Sequence, residues 1–249
     1  MKIDVFLSPG ELSTGGVLGR VVAVIDVLRA STTIATALNN GARTVVPVES
    51  PDLAIIRSKQ FERSDVVLAG EQKMLPIPSF DLGNSPVSFL PGVVADKTIL
   101  FMTTNGTQAL LGLQGARDVV VASYVNLTVA GVMLRAALRA DNDISIVCAG
   151  DEGHFSLEDA ACAGRYVRFM TQRMRSSAIL NDAACACELI DRRYGDNIEK
   201  IFQDSTHGRA LAEAGFGEDL VACARVDSQP VVPIYQERQI TRLGPDRER

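Results

Sequence analysis

Val21-Val22-Ala23-Val24-Ile25-Asp26-Val27-Leu28-Arg29-Ala30-Ser31-Thr32-Thr33 is the stretch whose reading decides the fold. Its first five residues are all apolar, as in a strand covered on both faces. The run ends on an acid, Asp26. Arg29 follows, and small hydroxyl residues then open a helix. Ser31 or Thr32 can cap that helix, and the free N–H groups of its first turn can hold an anion. An acid suited to a metal, a guanidinium suited to an anion and a helix N-terminus converge at one strand end. The stretch points to a metal-assisted site for a phosphorylated or otherwise acidic small molecule.

Working outward, the chain alternates strands and helices. Strands are expected at 2–7, 44–48, 66–69, 98–102, 119–122 and 144–149. Helices are expected from the hydroxyl run to about Asn40, then over 52–61, from about 108, over 125–139 and from Ser156 to about Arg173. This alternation predicts an α/β fold with a mostly parallel or mixed sheet and flanking helices. The segment from Gln72 to Pro91 breaks the pattern with four prolines, and long irregular stretches inside compact domains are often functional. Beyond Arg173 the chain reads as mostly helical, then extended over 230–235. The expectation is a single domain over 1–241 and a polar tail over 242–249. An internal echo is also present: 74 positions separate Gly41-Ala42-Arg43 from Gly115-Ala116-Arg117, and Ile25, Thr33 and Ala35 fall on Ile99, Thr107 and Ala109. Both copies read strand, hydroxyl-rich turn, helix, Gly-Ala-Arg, strand, which suggests two related β-α-β halves at 21–48 and 95–122.

Composition narrows the function. The 249 residues are 47% hydrophobic, enough for a sizeable core, and the net charge of −5 argues against a nucleic-acid partner. No stretch reaches the roughly 18 apolar residues of a membrane helix. Five cysteines without C-x-x-C spacing suit reduced thiols in a cytoplasmic protein. Association of like chains is left open. There is no G-x-x-x-x-G-K-[ST], no G-x-G-x-x-G and no G-x-S-x-G. Val27 and Leu28 follow Asp26, so a paired-aspartate phosphatase motif is absent.

Ligands of open α/β sheets sit outside the carboxyl ends of the strands, and the remaining candidates cluster there. Asp26 reads as a metal or catalytic acid, or as a structural cap. Arg29 reads as a bidentate clamp on an anion, or as an ion-pair partner of Asp26. Asn105-Gly106-Thr107 offers close backbone approach to an anion, or an ordinary helix start. Glu158 and Asp159, in a capping-box-like helix start, complement the helix dipole or complete a hard-cation site. Magnesium keeps several waters, so two or three of Asp26, Glu71, Asp81, Glu158 and Asp159 would suffice. Cys148 reads as a core residue, because the position a cysteine phosphatase gives to arginine is His154 here. His207 reads as a general acid or as a solvated loop residue.

Four blocks in order, Ile25 to Thr33, Phe80-Asp81-Leu82-Gly83-Asn84-Ser85-Pro86, Thr103-Thr104-Asn105-Gly106-Thr107, and Cys148-Ala149-Gly150 with Ser156-Leu157-Glu158-Asp159, resemble the 2-phosphosulfolactate phosphatase family. The resemblance spans nearly the whole chain. It implies a distinct α/β fold and a magnesium-dependent hydrolysis of 2-phosphosulfolactate to sulfolactate and phosphate, a step toward coenzyme M. Residues and resemblance together give one expected site. Asp26, Arg29 and Asp81 are its catalytic groups. Ser31, Thr32, Asn84, Ser85, Thr104, Asn105, Gly106, Thr107, Cys148 and Gly150 bind a small anionic substrate, and Asp26, Glu71, Glu158 and Asp159 hold Mg2+. Attack by a metal-activated water is the expected route. A phosphatase for another small 2-phospho acid, and a non-catalytic binder of acidic metabolites, are the alternatives.

Overall fold

A computed structural model describes residues 1–12, 16–172 and 178–244. Strand β1 (Lys2–Phe6) is followed by β2 (Val21–Ile25), α1 (Ala30–Asn39), β3 (Thr44–Pro47) and α2 (Pro51–Ser58). Next come β4 (Val66–Gln72), β5 (Leu75–Pro76), the single turn α3 (Pro91–Val94), β6 (Thr98–Met102), α4 (Gly106–Leu111), β7 (Asp118–Ala122), α5 (Leu127–Arg139) and β8 (Ile144–Cys148). The C-terminal part adds α6 (Leu157–Thr171), β9 (Ile179–Leu180), α7 (Asp182–Tyr194), α8 (Ile198–Asp204), α9 (Thr206–Glu213), α10 (Gly217–Cys223), β10 (Pro233–Gln236) and β11 (Gln239–Arg242). The fold is α/β, with one large mixed sheet flanked by helices. Arg242 ends a strand, and residues 245–249 of the expected tail lie outside the described residues, as does Arg173 at the expected end of α6. Among the described residues no helix is long and apolar enough to cross a membrane.

The strand order is β5-β4-β6-β3-β11-β10-β7-β2-β8-β1-β9. It contains two parallel blocks, β4-β6-β3 and β7-β2-β8-β1-β9, joined through the antiparallel hairpin β10–β11. The hairpin is antiparallel to β3 on one side and to β7 on the other, so the two blocks run in opposite senses. In the echo, the first strand of each copy pairs with the second strand of the other, β2 with β7 and β6 with β3.

In a flat sheet the carboxyl ends of opposed blocks would lie on opposite edges. Here they meet: Asn105, just after β6, accepts from the Glu152 N–H beyond β8 at 3.1 Å. The sheet is therefore strongly coiled, in the sense that strand twist accumulates. The hairpin joins β3 through the ladder pair Ile240–Val45 and through Thr44 Oγ1, which donates to the Ile240 carbonyl at 3.1 Å. Strand alternation explains how both faces are filled. Val21, Ala23 and Ile25 enter one core with α5, α6 and α7, while Val22 and Val24 enter a second core with α1, α4 and residues of both blocks. That second core is the material around which the blocks curl.

Helices α6 and α7 cross so closely that a Cβ on Gly164 would lie 1.9 Å from the Cys187 carbonyl oxygen. Gly164→Ala is expected to lower unfolding free energy by about 1–3 kcal/mol through overpacking, read as a shift of the urea midpoint.

Candidate active site

A cavity of about 360 Å3 opens where the carboxyl ends of the two blocks meet. Asp26 lies on its wall at 7% exposure. α1 begins at Ala30, two or three residues earlier than a cap at Ser31 or Thr32 would place it, so both sit inside the first turn rather than capping it. Asp26 itself takes the cap: Oδ1 accepts from the Ala30 N–H at 3.1 Å, and the Asp26 N–H donates to Ser31 Oγ at 3.0 Å. Thr32 Oγ1 donates to the Val27 carbonyl at 3.0 Å and packs against Ser123, away from the cavity. Gly106 of α4 passes close to the acid; a Cβ there would fall 2.8 Å from Asp26 Oδ2 and 2.9 Å from Ala30 Cβ. A side chain at position 106 would thus displace the carboxylate.

The neighbouring acids have distinct duties. Glu71 lies within β4, and its carboxylate accepts from the Thr104 N–H at 2.7 Å, Thr104 Oγ1 at 3.1 Å and the Met74 N–H at 2.8 Å. It lines the cavity, as do Thr104, Asn105 and the loop acids Asp151 and Glu152. Asp159 accepts from the Val27 N–H at 2.8 Å and the Gly150 N–H at 3.1 Å, so both of its oxygens serve the main chain. Gly150, at φ +69°, makes that turn, and a Cβ there would lie 2.3 Å from the His154 carbonyl oxygen. Glu158 is buried beneath the wall. Its Oε1 lies 3.4 Å from His207 Nδ1, and its Oε2 has no hydrogen-bond partner among the described residues.

Arg29 is 3% exposed and already engaged. It pairs with Asp219 of α10 at 2.7 Å, donates to the Met74 carbonyl at 2.8 Å, and stacks 4.3 Å above the Phe216 ring. Its partner is therefore Asp219, 190 positions away, and not Asp26. Ser85 Oγ donates to the other Asp219 oxygen at 2.5 Å, and Thr33 Oγ1 to the Asn84 carbonyl at 3.1 Å. The 80–86 block thereby holds α10 and α1 together, while Asn84 reaches the cavity wall. Asp81 stands apart, paired with Arg63 and accepting from the Leu68 N–H at 2.9 Å. Thr107 bonds Thr103 and faces a neighbouring cavity. Cys148 is fully buried.

His207 is the group whose place differs most from a solvated loop residue. It lies in the first turn of α9, with 15% of its side chain exposed, and lines the same cavity as Asp26. Ser205 caps α9 by accepting from the Gly208 N–H at 2.9 Å, and this local signal marks a helix start at Thr206, with His207 in its first turn. Lys73 and Met74, in the turn after β4, also reach the wall.

Burial pushes the Asp26 carboxyl up to about 6 from its ordinary 3.8, with the charges of Glu71 and Glu158 adding to the rise. The Ala30 N–H and His207 act against it. Burial likewise raises Asp159 well above the usual range, reinforced by Asp26 and Glu158. For His207, burial works to lower the pKa, but the hydrogen bond and charge of Glu158, with Asp151 and Asp26, more than offset it and the imidazole is raised above 6.5. Among the described residues no three His, Cys, Asp or Glu side chains form a ready metal cage.

The family model described as 2-phosphosulpholactate phosphatase matches residues 6–238. The chain belongs to the 2-phosphosulfolactate phosphatase family. Curated relatives agree. The probable 2-phosphosulfolactate phosphatase of Symbiobacterium thermophilum is 39% identical over 225 residues, covering 90% of this chain and 95% of the relative. That of Clostridium acetobutylicum is 34% identical over 240 residues, 96% of this chain and 100% of the relative. The family carries the name of a phosphoric monoester hydrolase, and its match spans both blocks that build the cavity.

Burial raises the Cys148 and Cys162 thiols well above 9.0 and pushes Cys187 and Cys223 up to about 12, whereas Cys185 is exposed. Iodoacetamide at pH 8 is expected to label Cys185 alone in the native protein, because the thiolate is the reactive form. Peptide mapping checks this; rapid labelling of Cys148 would restore it as a nucleophile.

Proposed function

We propose that this chain hydrolyses 2-phosphosulfolactate to 3-sulfolactate and phosphate, by direct attack of water on phosphorus. The observation that carries the reading is the Asp26 carboxylate, buried at the junction of the blocks with bare Gly106 beside its Oδ2. A buried acid that faces a cavity, with no side chain at position 106 to cover its Oδ2, suits a proton acceptor for a water bound there.

The residues present fit a divalent cation. Asp26, Glu71, Asp151 and Glu152 bring carboxylates to a cavity whose cations are Arg29, already paired, Lys73 and His207. Such a wall repels an anionic substrate unless a cation intervenes. Asp26 and Glu71 are the donors that would hold it, since magnesium takes one or two carboxylates and keeps its waters. When bound, it supplies Lewis-acid charge to the phosphoryl oxygens. Glu158 and Asp159 lie behind these two, one set against His207 and the other on the main chain.

The chain's own groups then divide the remaining work. Asp26 Oδ2 accepts a hydrogen bond from the attacking water and takes its proton. Glu71 fixes the Thr104 main chain, so the turn after β6 is held against the phosphoryl group. His207 is held through Nδ1 by Glu158, which leaves Nε2 to give a proton to the departing ester oxygen. Little covalent work by the protein is required, because phosphoryl transfer depends mainly on position and charge.

Phosphate release from 2-phosphosulfolactate and other phospho acids, with magnesium and with a chelator, tests the reading. No release from any of them with magnesium would leave a binder of acidic metabolites. Asp26→Asn is expected to cost about 100-fold or more in kcat with the fold retained. His207→Gln is expected to cost about 100-fold on this alkyl ester and far less on para-nitrophenyl phosphate, whose leaving group needs no proton. Equal losses on both esters would remove His207 from the acid role.

A further inference from the structure

Two hairpins in this protein share an uncommon construction. Lys73-Met74 joins β4 to β5, and Glu237-Arg238 joins β10 to β11, each as a two-residue connection between paired strands. The four residues have φ of 50°, 70°, 51° and 60°. Positive φ at both central positions is the type I′ turn, whose usual occupants are Asn-Gly. Neither turn has them. Non-glycine residues persist in left-handed backbone when their surroundings hold them there, and such positions concentrate at ligand clamps. For the first turn the holding groups are visible: Glu71 accepts from the Met74 N–H, and Arg29 donates to the Met74 carbonyl.

Each turn delivers a cation to the same place. Lys73 and Arg238 both line a cavity of about 860 Å3 beside the reaction cavity. Lys73 and Thr104 belong to both walls, so the two spaces adjoin. Thr107 and Gln108 add a hydroxyl and an amide, and Glu49 is the one carboxylate on the second wall. Among the described residues Lys73 makes no ion pair, and Arg238 lies 3.9 Å from Glu49 with both side chains more than half exposed. These cations are available to a ligand, unlike Arg29.

We propose that the second cavity receives the sulfonate arm of the substrate, with Lys73 and Arg238 as the residues that determine specificity for it. The inference rests on the phosphatase reading and adds the recognition of the other end of the molecule. The charge distribution directs it. The reaction cavity is dominated by carboxylates and suits the phosphoryl group with a cation, whereas a sulfonate there would meet like charge. The adjoining wall offers two cations against one acid. A sulfonate presents three acceptor oxygens, which an ammonium and a guanidinium on one wall can serve, with the Gln108 amide beside them.

Steady-state kinetics of the full chain in magnesium, on 2-phosphosulfolactate and on 2-phospholactate, which lacks the sulfonate, provide the first arm. Lys73→Gln and Arg238→Gln are each expected to raise KM for the sulfonate substrate about tenfold while kcat moves less than about threefold, and to erode the preference over 2-phospholactate by a similar factor. Lys73→Arg is expected to restore much of the difference. An unchanged KM, or an equal rise for both substrates, overturns the inference. Calorimetric binding of 3-sulfolactate is the second arm, with both variants expected to bind about tenfold more weakly than the parent chain. If the parent releases phosphate from neither substrate while sulfolactate binding still depends on Lys73 and Arg238, the reaction reading falls and the sulfonate site stands. If sulfolactate does not bind, or binds the variants equally well, the sulfonate site falls whatever the turnover.

Discussion

Asp159 spends both carboxylate oxygens on main-chain N–H groups, those of Val27 and Gly150. The rest of the site depends on that pair of bonds. Val27 lies just past β2 and Gly150 just past β8, so one side chain fixes the carboxyl ends of two neighbouring strands against the start of α6. A buried carboxylate is costly unless donors compensate it, and these two N–H groups do so at a point where the chain leaves the sheet. With the β2 end fixed, Asp26 cannot swing back to water. It is held at 7% exposure by the helix start it caps, and its proton affinity rises as a consequence of that geometry.

The second requirement is the coiling of the sheet. The acids and turns of the cavity come from strands that run in opposite senses in the hydrogen-bond ladder, β2 and β8 in one block and β4 and β6 in the other. A shared apolar core and the antiparallel hairpin that joins β3 to β7 hold the blocks with their carboxyl ends together. Gly106 marks the closeness of that meeting, since the β6 side approaches Asp26 within the space a methyl group would need. Glu71 closes the assembly on the same side by tying β4, the 73–74 turn and Thr104 into one unit. Helix α10 locks it from outside through the buried Arg29–Asp219 pair, which is stacked on Phe216.

The sequence made some of this legible and hid the rest for physical reasons. Val21 to Ile25 announced a strand buried on both faces because both faces are in fact covered, by separate cores. Asp26 stood out because a charge after five apolar residues needs a compensating arrangement. The hairpin in the middle of the sheet left no such trace: Pro233 to Gln236 reads simply as extended chain, and strand neighbours are set by tertiary contacts. The Arg29–Asp219 pair spans 190 positions, and no local pattern links the two. His207 carried a local cue, the Ser205 cap, but its pairing with Glu158 joins α9 to α6. Lys73 and Arg238 were silent because their turns lack the Asn-Gly signature by which a type I′ hairpin is recognised. The 80–86 block was noticed as a motif, yet its residues separate in space: Asp81 supports β4, while Asn84 and Ser85 support α1 and α10.

The central claim is that water attacks phosphorus directly, with no side chain forming a bond to it. The cysteine near the site is buried with its thiol held protonated, and Asp26 faces the cavity with its Oδ2 uncovered beside Gly106. The stereochemical course at phosphorus, followed with a substrate made chiral by oxygen isotopes, measures this most directly. A single in-line displacement inverts the configuration, and inversion is the expected result. Retention would require two displacements through a phosphorylated side chain and would contradict the account.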